Sequence, residues 1–223
     1  KQTLSSKLSE ELDEFILVGG FPKALEYKNL EDKRLYVKSV IREIYDNDIK
    51  KRVKIKNKEA FLKLQTYIIN NFGTSTSITN IKDELEKEGL IIKRQTIQKY
   101  IQILLDSKIL YECKRFDLKS KKSIHGEQKY YLSDMAFYFA NNVDNRINYG
   151  PALENVVYQY VCSKGYEVSI GRVGNLECDF ILRKHMKDIV VELQMFSNIA
   201  LINLFLVQEI QLSEFGIKIQ KKK

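Results

Sequence analysis

The sequence contains only three cysteines and two histidines, which limits the redox and soft-metal chemistry open to it. Cys113, Cys162 and Cys178 are odd in number and scattered, and no two of them form a CxxC motif. A disulfide framework is therefore disfavoured, as is a zinc site, to which only His125 and His185 could add nitrogen ligands. We expect a reducing, cytoplasmic location.

Linker-forming residues, long apolar runs and a start methionine are also scarce or missing. Two prolines and ten glycines in 223 residues argue against long disordered linkers. The longest apolar run, residues 199–207, contains an asparagine and is far shorter than the ~20 residues of a membrane span. We therefore expect no membrane partner. The chain begins at Lys1 with no visible signal peptide, and we expect it to be a fragment of a longer protein.

Charge and apolar residues are plentiful. Hydrophobic residues make up 44% of the chain, which is enough to build a core. Lysine and arginine outnumber the acids by 37 to 29, so the formal net charge is +8. Such an excess favours phosphate-rich partners, although a generally basic proteome would give the same excess.

Helical periodicity dominates the first part of the chain. Leucines at four-residue spacing predict a helix over residues 4–16. The segment Gly19–Pro22 ends it, because glycine loosens the backbone and proline disfavours helix at the preceding residue. Apolar stripes predict two further helices, over residues 31–50 and 58–70.

Residues 74–132 have the order of a winged helix-turn-helix, namely helix, turn, helix and a hairpin with a basic tip. Ser77 is a candidate N-cap for a helix that ends at Gly89. Apolar spacing predicts a second helix over residues 94–107, followed by strands over 109–116 and 128–132. Leu104 in this helix is predicted to be a core residue, and Ile109, Tyr111 and Leu132 are predicted to be buried beneath the helices.

The second of these helices has a polar face suited to a major groove, because glutamine and lysine can reach base edges and phosphates. The wing lysines could lie on the adjacent backbone. Winged helices also serve as spacers or protein-binding modules, and that alternative stays open. The candidate DNA-binding residues are Arg94, Gln95, Gln98, Lys99, Gln102, Lys119, Lys121 and Lys122.

The pattern changes after Pro151 to helix, strand, acidic strand, acidic strand, which is the plan of a PD-(D/E)xK nuclease core. The predicted elements are a helix over residues 152–163 and strands over 166–170, 176–182 and 188–194. The candidate catalytic residues are Glu154, Asp179, Glu192 and Gln194, of which Asp179 and Glu192 are the candidate metal ligands.

Converging carboxylates are the ligands that Mg²⁺ or Mn²⁺ would take, and the metal would activate a water molecule. The residue two positions after the second acid is usually lysine, whereas here it is Gln194. Glutamine can orient water but cannot carry the positive charge. We therefore expect an inactive nuclease-like domain, with an active metal-dependent nuclease as one alternative.

Several short motifs, in this order and spacing, resemble the domain of unknown function in the C-terminal half of many prokaryotic P-loop (AAA+-like) ATPases. They are Gly20–Pro22, the helix around Tyr36–Ile49, Gly150–Asn155, Glu177–Ile181 and the strand ending in Gln194. The resemblance covers about residues 15–195 and implies a winged-helix region and a restriction-endonuclease-like domain attached to an upstream ATPase. No GxxxxGK[ST] loop occurs in this chain, so ATP would bind only in that upstream domain.

The sequence thus predicts an α+β protein: a helical winged helix-turn-helix module followed by a small α/β restriction-endonuclease-like domain. The predicted divisions are an N-terminal helical segment (residues 1–55), the winged helix (56–135) and the nuclease-like domain (136–223). The expected function is that of a nucleic-acid-associated module of an ATPase-family protein, with duplex DNA and the upstream ATPase domain as partners. A regulatory, protein-binding region that touches no DNA is the other alternative.

Overall fold

A computed structural model describes residues 2–117, 120, 122–142, 147–173, 176–184, 187–191 and 220–221. The protein is α+β, as predicted, because a largely helical half precedes most of the strands. Its helices are α1 (Gln2–Val18), a 3₁₀ turn (Pro22–Glu26), α2 (Leu30–Glu43), a π-helical turn (Ile44–Ile49), α3 (Lys50–Arg52), α4 (Lys58–Asn70), α5 (Ile78–Lys87), α6 (Arg94–Asp106), α7 (Ala136–Asn141) and α8 (Tyr149–Ser163). Its strands are β1 (Leu110–Asp117), β2 (Lys122–Leu132), β3 (Glu167–Val173), β4 (Leu176–Lys184), β5 (Lys187–Val191) and β6 (Gln220–Lys221).

The strands form one mixed sheet in the order β2-β1-β3-β4-β5-β6. Strands β1 and β3 are parallel, with Phe116 opposite Gly171. The pairs β3–β4, β4–β5 and β5–β6 are antiparallel. A parallel step between β1 and β3 needs a long connection, and the chain between them contains β2, α7 and α8.

The chain divides into two compact units that do not follow chain order. One unit contains residues 17–112 and 126–147, which include α2 to α7. The other contains residues 1–16, 113–125 and 148–223, which include α8 and β3 to β6. The three consecutive segments expected from the sequence stay a prediction.

Helices α4, α5 and α6 begin and end close to where their residues predicted. The Asn57 side chain caps α4 by accepting a hydrogen bond from the Ala60 N–H at 3.0 Å. The Ser77 hydroxyl caps α5 by accepting one from the Asn80 N–H at 3.1 Å. Gly89 follows α5 with a φ of +81°, a left-handed conformation that glycine adopts without a steric penalty.

Two details differ from the sequence-based expectation. The single helix predicted over residues 31–50 is divided into α2, the π-helical turn and α3, and the division leaves Ile49 buried. Ile109 and Leu132 are fully buried as predicted, but Tyr111 is 39% exposed. Leu110 takes the inward direction at the start of β1, so the next residue points to the other face of the strand.

The loop at Gly19–Pro22 is held by an aspartate from a distant part of the chain. The Asp134 carboxylate accepts hydrogen bonds from the N–H groups of Gly20 and Ala136, both at 2.8 Å. Burial raises the pKa of the Asp134 carboxyl, and these two bonds lower it in part. Gly19 has a φ of +78°, and a Cβ there would lie only 2.0 Å from the nearer Asp134 oxygen. The glycine is therefore required by this contact.

The Phe21 side chain, in the same loop, packs against two aromatic rings of its unit. Its ring meets those of Tyr36 and Phe137 edge to face, with centroids 6.4 and 5.5 Å apart.

Within the described ranges, no helix combines the length and apolar character needed to cross a membrane.

Candidate nucleic-acid interface

Helix α6 has two sharply different faces. Its apolar residues Ile97, Tyr100, Ile101 and Leu104 are buried, and Leu104 is fully inaccessible, as predicted. The five residues of α6 that were predicted to contact DNA are all exposed. At 100° per residue they span an arc of about 140° around the helix. We call them the α6 face: Arg94, Gln95, Gln98, Lys99 and Gln102.

The turn between α5 and α6 adds an exposed apolar side chain that the sequence analysis did not single out. Ile91 is 91% exposed, although it is flanked by Leu90, which is half-buried, and Ile92, which is buried. Isolated apolar residues are common on protein surfaces. This one lies three residues before the first residue of the α6 face, so a ligand on the start of α6 would be close to it.

The segment before α5 pairs with the hairpin strand β2. Thr76 and Gln128 exchange two backbone hydrogen bonds of 2.9 Å, and the Gly73 N–H donates to the Tyr130 carbonyl at 2.8 Å. Tyr130 is buried there. Burial is the main reason that its pKa is raised to about 12; Glu112 adds to the shift and a hydrogen bond from Gln128 opposes it. A single β-bridge therefore joins the segment before α5 to β2.

The wing lysines predicted to contact DNA are only partly covered by the structure. Lys119 and Lys121 lie outside the described residues. Lys122 opens β2, but its side chain is not among those described. Their role stays a prediction.

Two of the four candidate catalytic residues fall in the described part of the unit that contains α8 and β3 to β6, which we call the second unit. Glu154 lies on α8 and Asp179 on β4, and both are half-buried. Glu192 and Gln194 lie outside the described residues. In the part that is described, no three histidine, cysteine or acidic side chains come together as a metal site.

Asp179 is one of two residues at an irregularity in β4. Between the pairs Ser169–Ile181 and Gly171–Cys178, β3 contributes one residue and β4 contributes two, Asp179 and Phe180. Such a bulge breaks the alternation of side chains and redirects one of them. The Phe180 ring packs 6.2 Å from that of Tyr158 on α8. Phe180, the other residue of the bulge, thus packs against α8, the helix that carries Glu154.

The parallel pairing of β1 and β3 depends on a close backbone approach. A Cβ on Gly171 would lie 1.8 Å from the carbonyl oxygen of Phe116. The guanidinium of Arg183 on β4 lies 4.3 Å from the centre of the Phe116 ring. The Cys113 thiol donates to the Val168 carbonyl at 3.7 Å, which ties the same two strands together at a second point.

Comparison with known proteins gives one family and two curated relatives. A family model described as a domain of unknown function (DUF8612) matches residues 9–145. An uncharacterized protein of Haemophilus influenzae is 27% identical over 185 residues, which cover 81% of this chain and 44% of that protein. An uncharacterized protein of Methanocaldococcus jannaschii is 25% identical over 189 residues, which cover 83% of this chain and 42% of that protein. The chain thus spans less than half the length of either relative. No solved structure matches it.

Proposed function

The chain belongs to the family described as a domain of unknown function (DUF8612), and we propose that its α4–α6 region is a winged helix-turn-helix that binds duplex DNA. The observation that carries the proposal is the α6 face, five polar or cationic side chains exposed on one side of a helix whose other side is buried. A recognition helix needs this division, because it must pack on its own domain while it enters a major groove.

The residue types of the α6 face suit both kinds of DNA contact. Glutamine can donate to and accept from an adenine edge, and arginine can bind guanine with two hydrogen bonds. Lysine supplies a positive charge for phosphate. Ile91, at the entrance to α6, could pack on a thymine methyl group.

The strands around α6 support a winged helix over a plain helix pair. The hairpin β1–β2 follows α6 directly, and the Thr76–Gln128 bridge joins the segment before α5 to β2. The order from α4 onward is helix, helix, helix, hairpin. The alternative role as a protein-binding region would use the same exposed face, and DNA binding is the property that separates the two.

The first experiment measures the affinity for a fluorescein-labelled duplex by anisotropy between 50 and 200 mM salt. We expect the logarithm of the association constant to fall linearly with the logarithm of salt, by roughly 0.9 per phosphate neutralised. Lys99→Ala should reduce the magnitude of that slope by about 0.9. Lys38→Ala is the matched control, since Lys38 is also an exposed lysine within a helix of the same unit.

Gln98→Ala tests base reading in the same assay. We expect it to narrow the difference in affinity between duplexes of different sequence while leaving the salt slope unchanged. If the wild-type protein binds no duplex, the proposal of DNA binding is wrong, and the protein-binding alternative is favoured. Equal changes in the salt slope for Lys99→Ala and Lys38→Ala would mean that the α6 face is not the surface that binds DNA.

For the second unit, we propose an inactive nuclease-like domain that still binds a divalent metal. The bulge at Asp179 supports this, since bulges often redirect side chains beside active sites. The absence of a lysine at position 194 is the reason to expect no cleavage. Calorimetry with Mn²⁺ should show binding that Asp179→Ala abolishes, and neither protein should cut plasmid DNA. Cleavage by the wild type alone would favour the active nuclease; no metal binding would exclude both forms of the site.

The resemblance to ATPase C-terminal regions supports a further part of the proposal, that this region works in one polypeptide with a P-loop ATPase. More than half of each curated relative lies outside the aligned segment, which leaves room for such a domain. The reading frame upstream of this chain should encode a GxxxxGK[ST] loop between a strand and a helix. A stop codon directly upstream would contradict the expectation.

A further inference from the structure

Residues 50–58 form a dense basic segment outside the α6 face. Six of these nine residues are cationic and none is acidic, so the segment has a formal charge of +6 in a chain whose net charge is +8. All six side chains are exposed. We call this stretch the basic segment, and its cations are Lys50, Lys51, Arg52, Lys54, Lys56 and Lys58.

The backbone of the basic segment sorts its residues by direction. Helix α3 ends at Arg52, and the next residue, Val53, has the extended angles φ −137° and ψ 130°. Val53 and Ile55 are half-buried, whereas Lys54 and Lys56 are exposed. This is the two-residue alternation of extended chain, and it directs both lysines to the solvent side.

Both ends of the basic segment are fixed to the core. Ile49, directly before it, is 1% exposed. Asn57, near its end, exchanges two hydrogen bonds with the hydroxyl of Tyr100: the Asn57 N–H donates at 3.4 Å, and the hydroxyl donates to the Asn57 carbonyl at 3.3 Å. Tyr100 belongs to the buried side of α6. The basic segment is therefore held against α6 through a side chain that lies about 100° or more around the helix from every residue of the α6 face.

Aromatic ring contacts strengthen this connection. The ring centres of Tyr45 and Phe61 are 5.8 Å apart, and those of Phe61 and Tyr100 are 5.4 Å apart. The Lys58 ammonium lies 4.7 Å from the centre of the Tyr45 ring. The turn before the basic segment, the start of α4 and the core of α6 thus form one packed cluster.

Most of the positive charge is not neutralised within the described part of the protein. Arg52 forms an ion pair with Asp48, and Lys58 lies over an aromatic ring. Lys50, Lys51, Lys54 and Lys56 have no ion-pair partner among the described residues. Concentrated positive charge on a fixed backbone attracts a polyanion and gives binding that weakens with salt.

We propose that the basic segment is a second DNA contact, which binds the phosphate backbone of duplex DNA. The inference rests on the proposed function of α6. It assigns a different task to each part: the α6 face distinguishes sequences, and the basic segment adds affinity that does not depend on sequence. An anionic membrane is a less suitable partner, because Val53 and Ile55 are half-buried and none of the exposed side chains of the segment is apolar.

The test uses the variant Lys51→Gln/Lys54→Gln/Lys56→Gln in the salt-dependent anisotropy assay. Removing three phosphate contacts should reduce the magnitude of the log–log slope by about 2.7, that is, roughly 0.9 for each contact. The wild type should then lose about 40-fold more affinity than the variant between 50 and 200 mM salt. The loss should be the same for every duplex sequence.

The matched control changes the same number of exposed cations elsewhere in the unit, as Lys28→Gln/Lys38→Gln/Arg42→Gln. It should keep the wild-type slope, and both triple variants should keep the wild-type melting temperature. Gln98→Ala in parallel reports on the α6 face. The inference would be wrong if the Lys51→Gln/Lys54→Gln/Lys56→Gln variant kept the wild-type salt slope while Gln98→Ala reduced base discrimination. That result would still support the proposed function of α6.

Two other results would also overturn it. If the wild-type protein has no affinity for any duplex, both the α6 proposal and the second contact are wrong. The second result comes from measuring binding of the protein to vesicles of phosphatidylserine and phosphatidylcholine. Loss of vesicle binding in the segment variant, with duplex binding unchanged, would assign the segment to a membrane surface instead.

Discussion

Replacing Leu104 with alanine should lower the free energy of unfolding by about 2–5 kcal/mol, the usual cost of removing a buried leucine side chain. Leu104 is fully inaccessible on the buried side of α6. The truncation removes apolar contacts and leaves a cavity that the surrounding helices fill only in part. Urea unfolding followed by circular dichroism would measure the loss.

Gln98→Ala is the control for this measurement, because Gln98 lies on the opposite, exposed side of the same helix. Its effect on the free energy of unfolding should stay within about 0.5 kcal/mol. Similar losses at both positions would mean that α6 is rotated from the arrangement described, and the α6 face would no longer be the surface offered to DNA.

Gly171→Ala should be at least as damaging, since it places an atom where the backbone of β1 already lies. The new Cβ would be 1.8 Å from the Phe116 carbonyl oxygen, 2.9 Å from its carbonyl carbon and 3.1 Å from its amide nitrogen. A flexible side chain could move away, but a paired strand can do so only by giving up its hydrogen bonds. We expect a loss of about 3 kcal/mol or more, at the upper end of overpacking effects.

Gly150→Ala is the matched control in the same unit. A Cβ there meets only the Asn148 side-chain oxygen, at an ordinary 3.5 Å, in the first turn of α8. The change should leave stability unchanged or raise it by less than about 1 kcal/mol, because alanine favours helix over glycine. Equal unfolding midpoints for the two variants would contradict the close approach of β1 and β3.

The elements that the sequence predicted well are those whose signals are local. Helix α4 begins after the capping Asn57, α5 begins after Ser77, and the apolar spacing of α6 selects its buried side. Each signal depends on residues within one or two helical turns. The α6 face could therefore be predicted from the sequence, since it is the complement of that apolar stripe.

The elements that were missed depend on residues far apart in the chain. Helix α7 is six residues long and almost wholly apolar, so it has no periodicity to detect. The aspartate just before it, Asp134, is bonded to Gly20, 114 residues away. The basic segment has the composition of an ordinary charged surface, and its connection to α6 depends on contacts across 43 residues, such as the Asn57–Tyr100 hydrogen bonds. The bulge at Asp179 arises from strand register, which no short motif encodes.

Site-specific photocrosslinking tests the central claim, that α6 meets DNA, most directly. A p-benzoylphenylalanine in place of Gln98 should crosslink to a bound duplex, whereas the same group in place of Lys38 on α2 should not. Both positions are exposed, so neither substitution should disturb the fold. We expect a shifted protein–DNA band for position 98 alone. Crosslinking at position 38 but not at 98, with duplex affinity retained in both proteins, would contradict the assignment of α6 as the DNA-binding helix.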